Sequence, residues 1–126
     1  MTTWTPAELA LVDRTHELDI TTTRPDGTRR PATPIWVVRV GEQVYVRSYR
    51  DAAGAWFRHA LTDGLAQVRL GSLERNVQVR LDGAAPAARI DAAYRSKYGE
   101  NTYTNAMLAP DAVASTLRLD PTSTAA

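Results

Sequence analysis

The sequence predicts a mainly β domain with peripheral helices, a small antiparallel barrel, and three observations carry that prediction. The first is "LAQVRL" followed by "RNVQVRL". Ala66, Val68 and Leu70 alternate with Gln67 and Arg69, and Val77, Val79 and Leu81 alternate with Asn76, Gln78 and Arg80. Such period-two patterning on both sides of the short "GSLE" connection is the signature of a hairpin with one buried face. The second is turn chemistry: Asp26-Gly27 and Gly41-Glu42 separate β-rich runs with connections too short for a helical crossover. The third is size. Five or six short strands in a chain of 126 residues leave exposed edges unless the sheet closes on itself. That length fits one domain over residues 1–126, with Met1–Thr3 and Thr122–Ala126 expected to fray.

In chain order, "TPAELALVDRTHEL" opens a helix. Thr5 is its N-cap, Pro6 occupies the first helical position, Glu8 completes a capping box, and Leu9, Val12 and His16 recur at helical spacing. "LDITTT" is a β-branched strand, "PDGT" a turn, and a second strand runs from about Arg29 to Val40. In "QVYVRSY", Val44, Val46 and Ser48 face one side while Tyr45, Arg47 and Tyr49 face the other. "AWFRHALTD" is helical, with Phe57, Ala60 and Leu61 on one side and Gly64 as its C-cap. After the hairpin, "DGAAPAA" links to a helix with Ile90, Ala93, Tyr94 and Tyr98 on one face and Gly99 past its end. "ENTYTNAMLAPDA" reads as irregular, and "STLRLDP" as a last strand.

Composition narrows the function. Cysteine is absent, which excludes disulfides, thiol nucleophiles and thiolate metal sites, and with His16 and His59 the only histidines a His-rich metal site is excluded too; a carboxylate-bound magnesium is not, although no metal ligand is singled out. A net charge of +1 gives no reason to expect a nucleic-acid partner. No apolar run reaches the length of a membrane span, and residues 1–20 lack the apolar stretch of a signal peptide, so the expected address is cytoplasmic. The cations are 14 Arg and one Lys. Arg is the better fork for phosphate and carboxylate, although codon usage alone produces the same imbalance.

The interrupted strand is the most informative stretch. Proline donates no ladder hydrogen bond, so Pro31 and Pro34 belong on an edge or at a bulge, whereas Ile35 to Val38 are apolar on every residue and demand cover on both faces. A loosely paired start and a deeply buried end describe a strand that leaves one sheet edge and enters another, as at the seam of a split barrel. At such a seam, backbone near Thr33 is free to bond a ligand. A plain edge strand protected by its prolines is the alternative.

With that seam in view, "TTTRPDGTRRPATPIWVVRVGEQVYVRSY" followed by "GAWFRHAL" resembles the FMN/deazaflavin-binding split β-barrel superfamily, which includes pyridoxamine-phosphate-oxidase-like proteins and deazaflavin-dependent reductases. The order of a Thr-rich strand, a basic Gly-containing hairpin, a Thr-Pro step, a Tyr-Val strand and a Trp-containing helix carries the likeness over residues 18 to 82. The flanking helices are similar to an uncharacterised domain-of-unknown-function branch near the reductases. His59 stands where Asn is usual, and the hairpin lacks the usual Lys.

The resemblance implies a cofactor, FMN or coenzyme F420, a deazaflavin. Arg29, Arg30 and Thr33 would face its phosphate or ring, Arg47, Ser48 and Tyr49 would flank the phosphate, and Gly54, Trp56, Phe57 and Arg58 would form the cofactor side of the middle helix. It also implies a homodimer and an oxidoreductase that transfers a hydride to a small organic substrate. Flavin-type chemistry needs phosphate donors, an apolar slot and a tuned ring; the arginines suit the first, and Trp36, Trp56 and Tyr45 the second. Tyr49, His59 and Tyr103 are candidates for a catalytic role, and "GENTYTNAML" is a candidate lid. Against these stand plainer roles: Trp56 and Phe57 as core, and Arg47 as cover for a solvated or dimeric face. The alternative functions are a split barrel without cofactor that binds a small molecule, or a non-redox cyclase or isomerase.

Overall fold

Two strands that share one extended segment organise the architecture. A computed structural model describes residues 3–48 and 54–122. Strands β1 (Glu17–Thr21), β2 (Thr33–Trp36), β3 (Val38–Val40), β4 (Gln43–Val46), β5 (Leu65–Leu70), β6 (Leu73–Leu81) and β7 (Leu117–Pro121) form one sheet in the order β2-β1-β5-β6-β7-β4-β3. Every pairing is antiparallel. The sheet begins with β2 and ends with β3, which only Val37 separates in the chain, so the two ends meet and a nearly closed split barrel results. The residues before the break pair with β1, Leu18 opposite Ile35, and those after it pair with β4, Val38 opposite Tyr45. The proline-interrupted strand therefore does change partners, and it does so where its sequence turns wholly apolar.

Side chains, not a third strand, satisfy the break. The Val37 N–H donates to the Tyr98 hydroxyl at 3.0 Å, and the Val37 carbonyl accepts from Lys97 Nζ at 2.6 Å. Lys97 also donates to the Val12 carbonyl at 2.7 Å, and the Tyr98 hydroxyl donates to the His16 carbonyl at 2.6 Å. Both side chains sit at the end of α3 (Ala87–Tyr98), which thereby ties the seam to α1 (Pro6–Arg14). Fully buried backbone groups need such partners, and Val37 is completely buried.

Inward-facing residues of the strands make the main core, with Leu18, Ile20, Val68, Leu70, Val77 and Leu119 almost wholly excluded from water. Each such side chain contributes roughly 1.5–3 kcal/mol through burial. Trp4 closes one end, its indole N–H donating to the Leu119 carbonyl. A second, smaller core lies outside the barrel, where Ile90 and Tyr94 of α3 pack on Val38 and Tyr45. Tyr45 and Arg47 thus lie beneath the chain's own helices, and not on a solvated or dimeric face as their alternation suggested.

Helix ends follow the local signals. Thr5 and Glu8 exchange the two hydrogen bonds of a capping box at the start of α1. His16 lies beyond that helix and is exposed. α2 (Ala55–Asp63) runs from Gly54 to Gly64, whose φ of 69° places it in the left-handed region. Residues 100–112, expected to be irregular, hold α4 (Thr102–Leu108), capped by Asn101, and the start of α5 (Pro110–Ala114) at Pro110. Neither is long enough to show a helical period in sequence. The hairpin connection shortens from "GSLE" to Gly71-Ser72, with Leu70 opposite Leu73. Residues 24–30 form a hairpin arm before β2, because Pro31 interrupts the ladder there; Thr23 bridges Arg29, and the Arg30 N–H donates to the Thr22 carbonyl. Among the described residues no helix is long and apolar enough to cross a membrane.

Candidate functional site

Because β3 turns away to pair with β4, β2 keeps a free edge, and a cleft of about 630 Å³ opens beside it. That volume lies in the range of small-molecule sites. Thr33, Pro34, Ile35 and Trp36 supply one wall, the start of α2 with Gly54 and Trp56 another, and Tyr103 and Met107 of α4 a third. Arg47 and Ser48, which continue β4, also line it. The Ser48 N–H donates to Ser115 Oγ at 2.9 Å, which fixes the chain just past the ladder.

Arg47 is the unusual member. Its side chain is wholly buried, which is rare for arginine unless its donors are used. Nε donates to Thr116 Oγ1 at 2.9 Å, and Nη1 donates to Asp91 Oδ1 at 2.6 Å and to the Met107 carbonyl at 3.0 Å. The guanidinium also lies 5.5 Å from the centroid of the Tyr94 ring. Nη2 has no partner. An unpaired buried donor is costly, so an acceptor is missing there. Two further orphans are close in the fold, the hydroxyls of Tyr94 and of Thr104, one turn before Met107. Burial pushes the Tyr94 phenol well above its ordinary range, and the Arg47 charge offsets this only in part. Tyr94 is therefore neutral and a hydrogen-bond donor at any physiological pH.

Trp36 is braced from behind. Its ring stacks on Tyr98 with centroids 3.9 Å apart and planes 1° from parallel, and His16 meets both rings edge-on. The stack holds Trp36 as a firm wall of the cleft.

The residues expected at a site divide into two groups. Thr33, Arg47, Ser48, Gly54, Trp56 and Tyr103 line the cleft. The others do not. Arg29 is exposed on the hairpin arm. Arg30 is turned back on the arm by bonds to Thr22 Oγ1 and the Thr23 carbonyl, with Asp63 at 3.9 Å. Phe57 points into the barrel core, since consecutive helical residues diverge by about 100° and Trp56 takes the cleft side. Arg58 is exposed, and His59 is half-buried away from the cleft. Tyr45 packs under α3 and supplies no wall. Tyr49 lies outside the described residues. The cleft also contains Ala106 and Met107, from the segment expected as a lid, and Glu17, which with the Arg47 partners Asp91 and Thr116 had no part in the expected site. An acidic residue three positions before a buried tyrosine on α3 was the available signal for Asp91.

The model of the family described as "Uncharacterized protein conserved in bacteria (DUF2255)" matches residues 8–119. The chain belongs to the DUF2255 family. No curated protein sequence matches this DUF2255 chain. Solved structures share its fold. A pyridoxamine 5′-phosphate oxidase-like protein from Listeria innocua superposes with a TM-score of 0.62 at 16% identity, covering 91% of this chain and 90% of the other. The heme storage protein HutZ from Vibrio cholerae gives 0.68 at 11%, covering 96% and 92%. An F420 reductase gives 0.55 at 18%, covering 90% and 92%. At such identities the likeness establishes the split-barrel fold and leaves the ligand to be argued from the cleft.

Proposed function

We propose that this DUF2255 protein binds FMN or the deazaflavin coenzyme F420 in the cleft beside β2 and acts as an oxidoreductase on a small organic substrate. The observation that carries the reading is Arg47: a fully buried guanidinium with one unpartnered nitrogen lining an aromatic-walled cleft. When bound, either cofactor supplies a ring that gives or takes a hydride. The chain's part is to hold and orient. Trp36 and Trp56 offer flat walls for a ring, Ile35, Pro34 and Met107 exclude water, and Arg47 anchors an oxygen of the ligand. The names of the structural neighbours, an F420 reductase among them, fit this reading. A second copy of the chain is part of the proposal, since the cleft is open to solvent and Tyr103 stands exposed at its rim.

Titration of the purified protein with FMN and with coenzyme F420 tests the reading, followed by the cofactor's visible spectrum and by fluorescence of the tryptophans. Saturable binding with a Kd of about 50 μM or tighter is expected for one of the two. No change with either at several times that concentration overturns it. Hemin binding with neither flavin nor deazaflavin bound would assign the cleft to heme instead. Light scattering in solution checks the dimer.

A further inference from the structure

We infer that Arg47 recognises one uncharged or singly charged oxygen of the ligand's ring system and is not a phosphate reader. The inference rests on the reading of the cleft as a flavin-type site and names which end of the ligand enters at Arg47.

Two observations carry it. The first is geometric. Phosphate is gripped best by two parallel N–H donors of one guanidinium. In Arg47, Nε is taken by Thr116 and Nη1 by Asp91 and the Met107 carbonyl, so that among the described residues only Nη2 is without a partner. Freeing a second nitrogen would strand the Asp91 carboxylate or the Thr116 hydroxyl. The second is electrostatic. Asp91 Oδ1 at 2.6 Å already neutralises the guanidinium. Among the described residues the only other charged side chain lining the cleft is Glu17, an anion. A dianion placed on Nη2 would therefore meet no net positive charge there, and would lie near the Asp91 carboxylate in a poorly solvated site. A ring carbonyl needs one good donor and no net charge, which is what Nη2 provides. Of the hairpin arginines, Arg24 and Arg30 are bonded within their own arm, and Arg29 is exposed on it and does not line the cleft.

FMN and riboflavin differ only in the phosphate, so their affinities measured side by side decide the matter. Asp91→Asn keeps an amide oxygen for Nη1 and removes the carboxylate charge. Because the phosphate lies away from this pair, it is expected to move FMN and riboflavin by the same factor, to within about twofold. Arg47→Met combined with Asp91→Leu replaces the buried pair by apolar groups of similar size, a change that commonly preserves folding. It is expected to weaken both ligands by the same factor, about tenfold. The inference is overturned if Asp91→Asn tightens FMN at least about fivefold over riboflavin, as removing a carboxylate beside a bound phosphate would. It is equally overturned if the double variant weakens FMN about tenfold more than riboflavin. Wild-type protein that binds none of FMN, riboflavin and coenzyme F420 overturns the flavin reading itself, and this inference with it.

Discussion

Replacing Tyr98 with phenylalanine tests whether the seam is held as described. The substitution keeps the ring, and so the stack on Trp36, and removes only the hydroxyl. Three groups lose a partner. The Val37 carbonyl still accepts from Lys97 at 2.6 Å, and the His16 carbonyl lies at the surface, where water replaces the hydroxyl. The Val37 N–H has neither remedy, because the residue is fully buried between two strands that it joins. A buried donor left unsatisfied costs about 2 kcal/mol. For 126 residues the entropy of unfolding is about 0.26 kcal/mol/K, so the melting temperature should fall by about 8 °C. Calorimetry measures the fall, and amide exchange at Val37 should accelerate. A fall of less than about 2 °C, with Val37 exchange unchanged, would mean that the break is satisfied elsewhere and that α3 does not hold the barrel closed.

Other substitutions probe the same scaffold. Thr5→Ala removes the acceptor for the Glu8 N–H and half of the capping box, and should cost about 1 kcal/mol in denaturant unfolding with an unchanged m-value. Gly64→Ala meets no neighbour within 4 Å, so its cost of about 1 kcal/mol comes only from a φ of +69°; a much larger loss would show that side-chain space is the constraint. Stability should also follow pH in two directions. Burial holds Lys97 down at about 8 against 10.5 for a free side chain, so between these values the unfolded chain binds more protons and stability rises with pH. Burial pushes Tyr98 up to about 12, so above pH 10 the folded chain binds more protons and stability falls. Melting temperatures between pH 7 and 11 should flatten on the rising side in Lys97→Met.

What could be read from the sequence was local, or doubly determined. The capping box of α1 and the Gly64 terminus depend on residues three or four apart, and the seam was marked twice, by prolines and by an unbroken apolar run. What could not be read depends on residues far apart in the chain. β7 looked like a terminal strand, yet it sits between β6 and β4 in the middle of the sheet. The fate of Arg47 was equally hidden. Period two placed it opposite Val44 and Val46, which is correct, but it could not show that α3 and α4 cover that second face. The arginines of the hairpin show the converse: the charge of "RPDGTRR" points to Arg29 and Arg30, yet Arg29 is exposed on the arm and Arg30 is bonded within it, with Asp63 at 3.9 Å.

The seam and the cleft are consequences of one feature. A strand that pairs with β1 for four residues and with β4 for three leaves its first half with an unpaired edge, and that edge is a wall of the cleft. The residue between the halves is bonded by Lys97 and Tyr98, and Tyr98 also supports Trp36. Closing the barrel therefore draws on both side chains at the end of α3, and one of them, Tyr98, also supports a wall of the cleft. Asp91, nearer the start of that helix, holds Arg47. One helix thus sets both the aromatic wall and the single free donor, so a shift of α3 along the barrel would move the two together. A change in α3 packing, such as Ile90→Ala, should accordingly weaken ligand binding as well as stability, even though Ile90 does not line the cleft. Loss of stability by about 3 kcal/mol with ligand affinity untouched would separate the two functions of the helix and defeat this account.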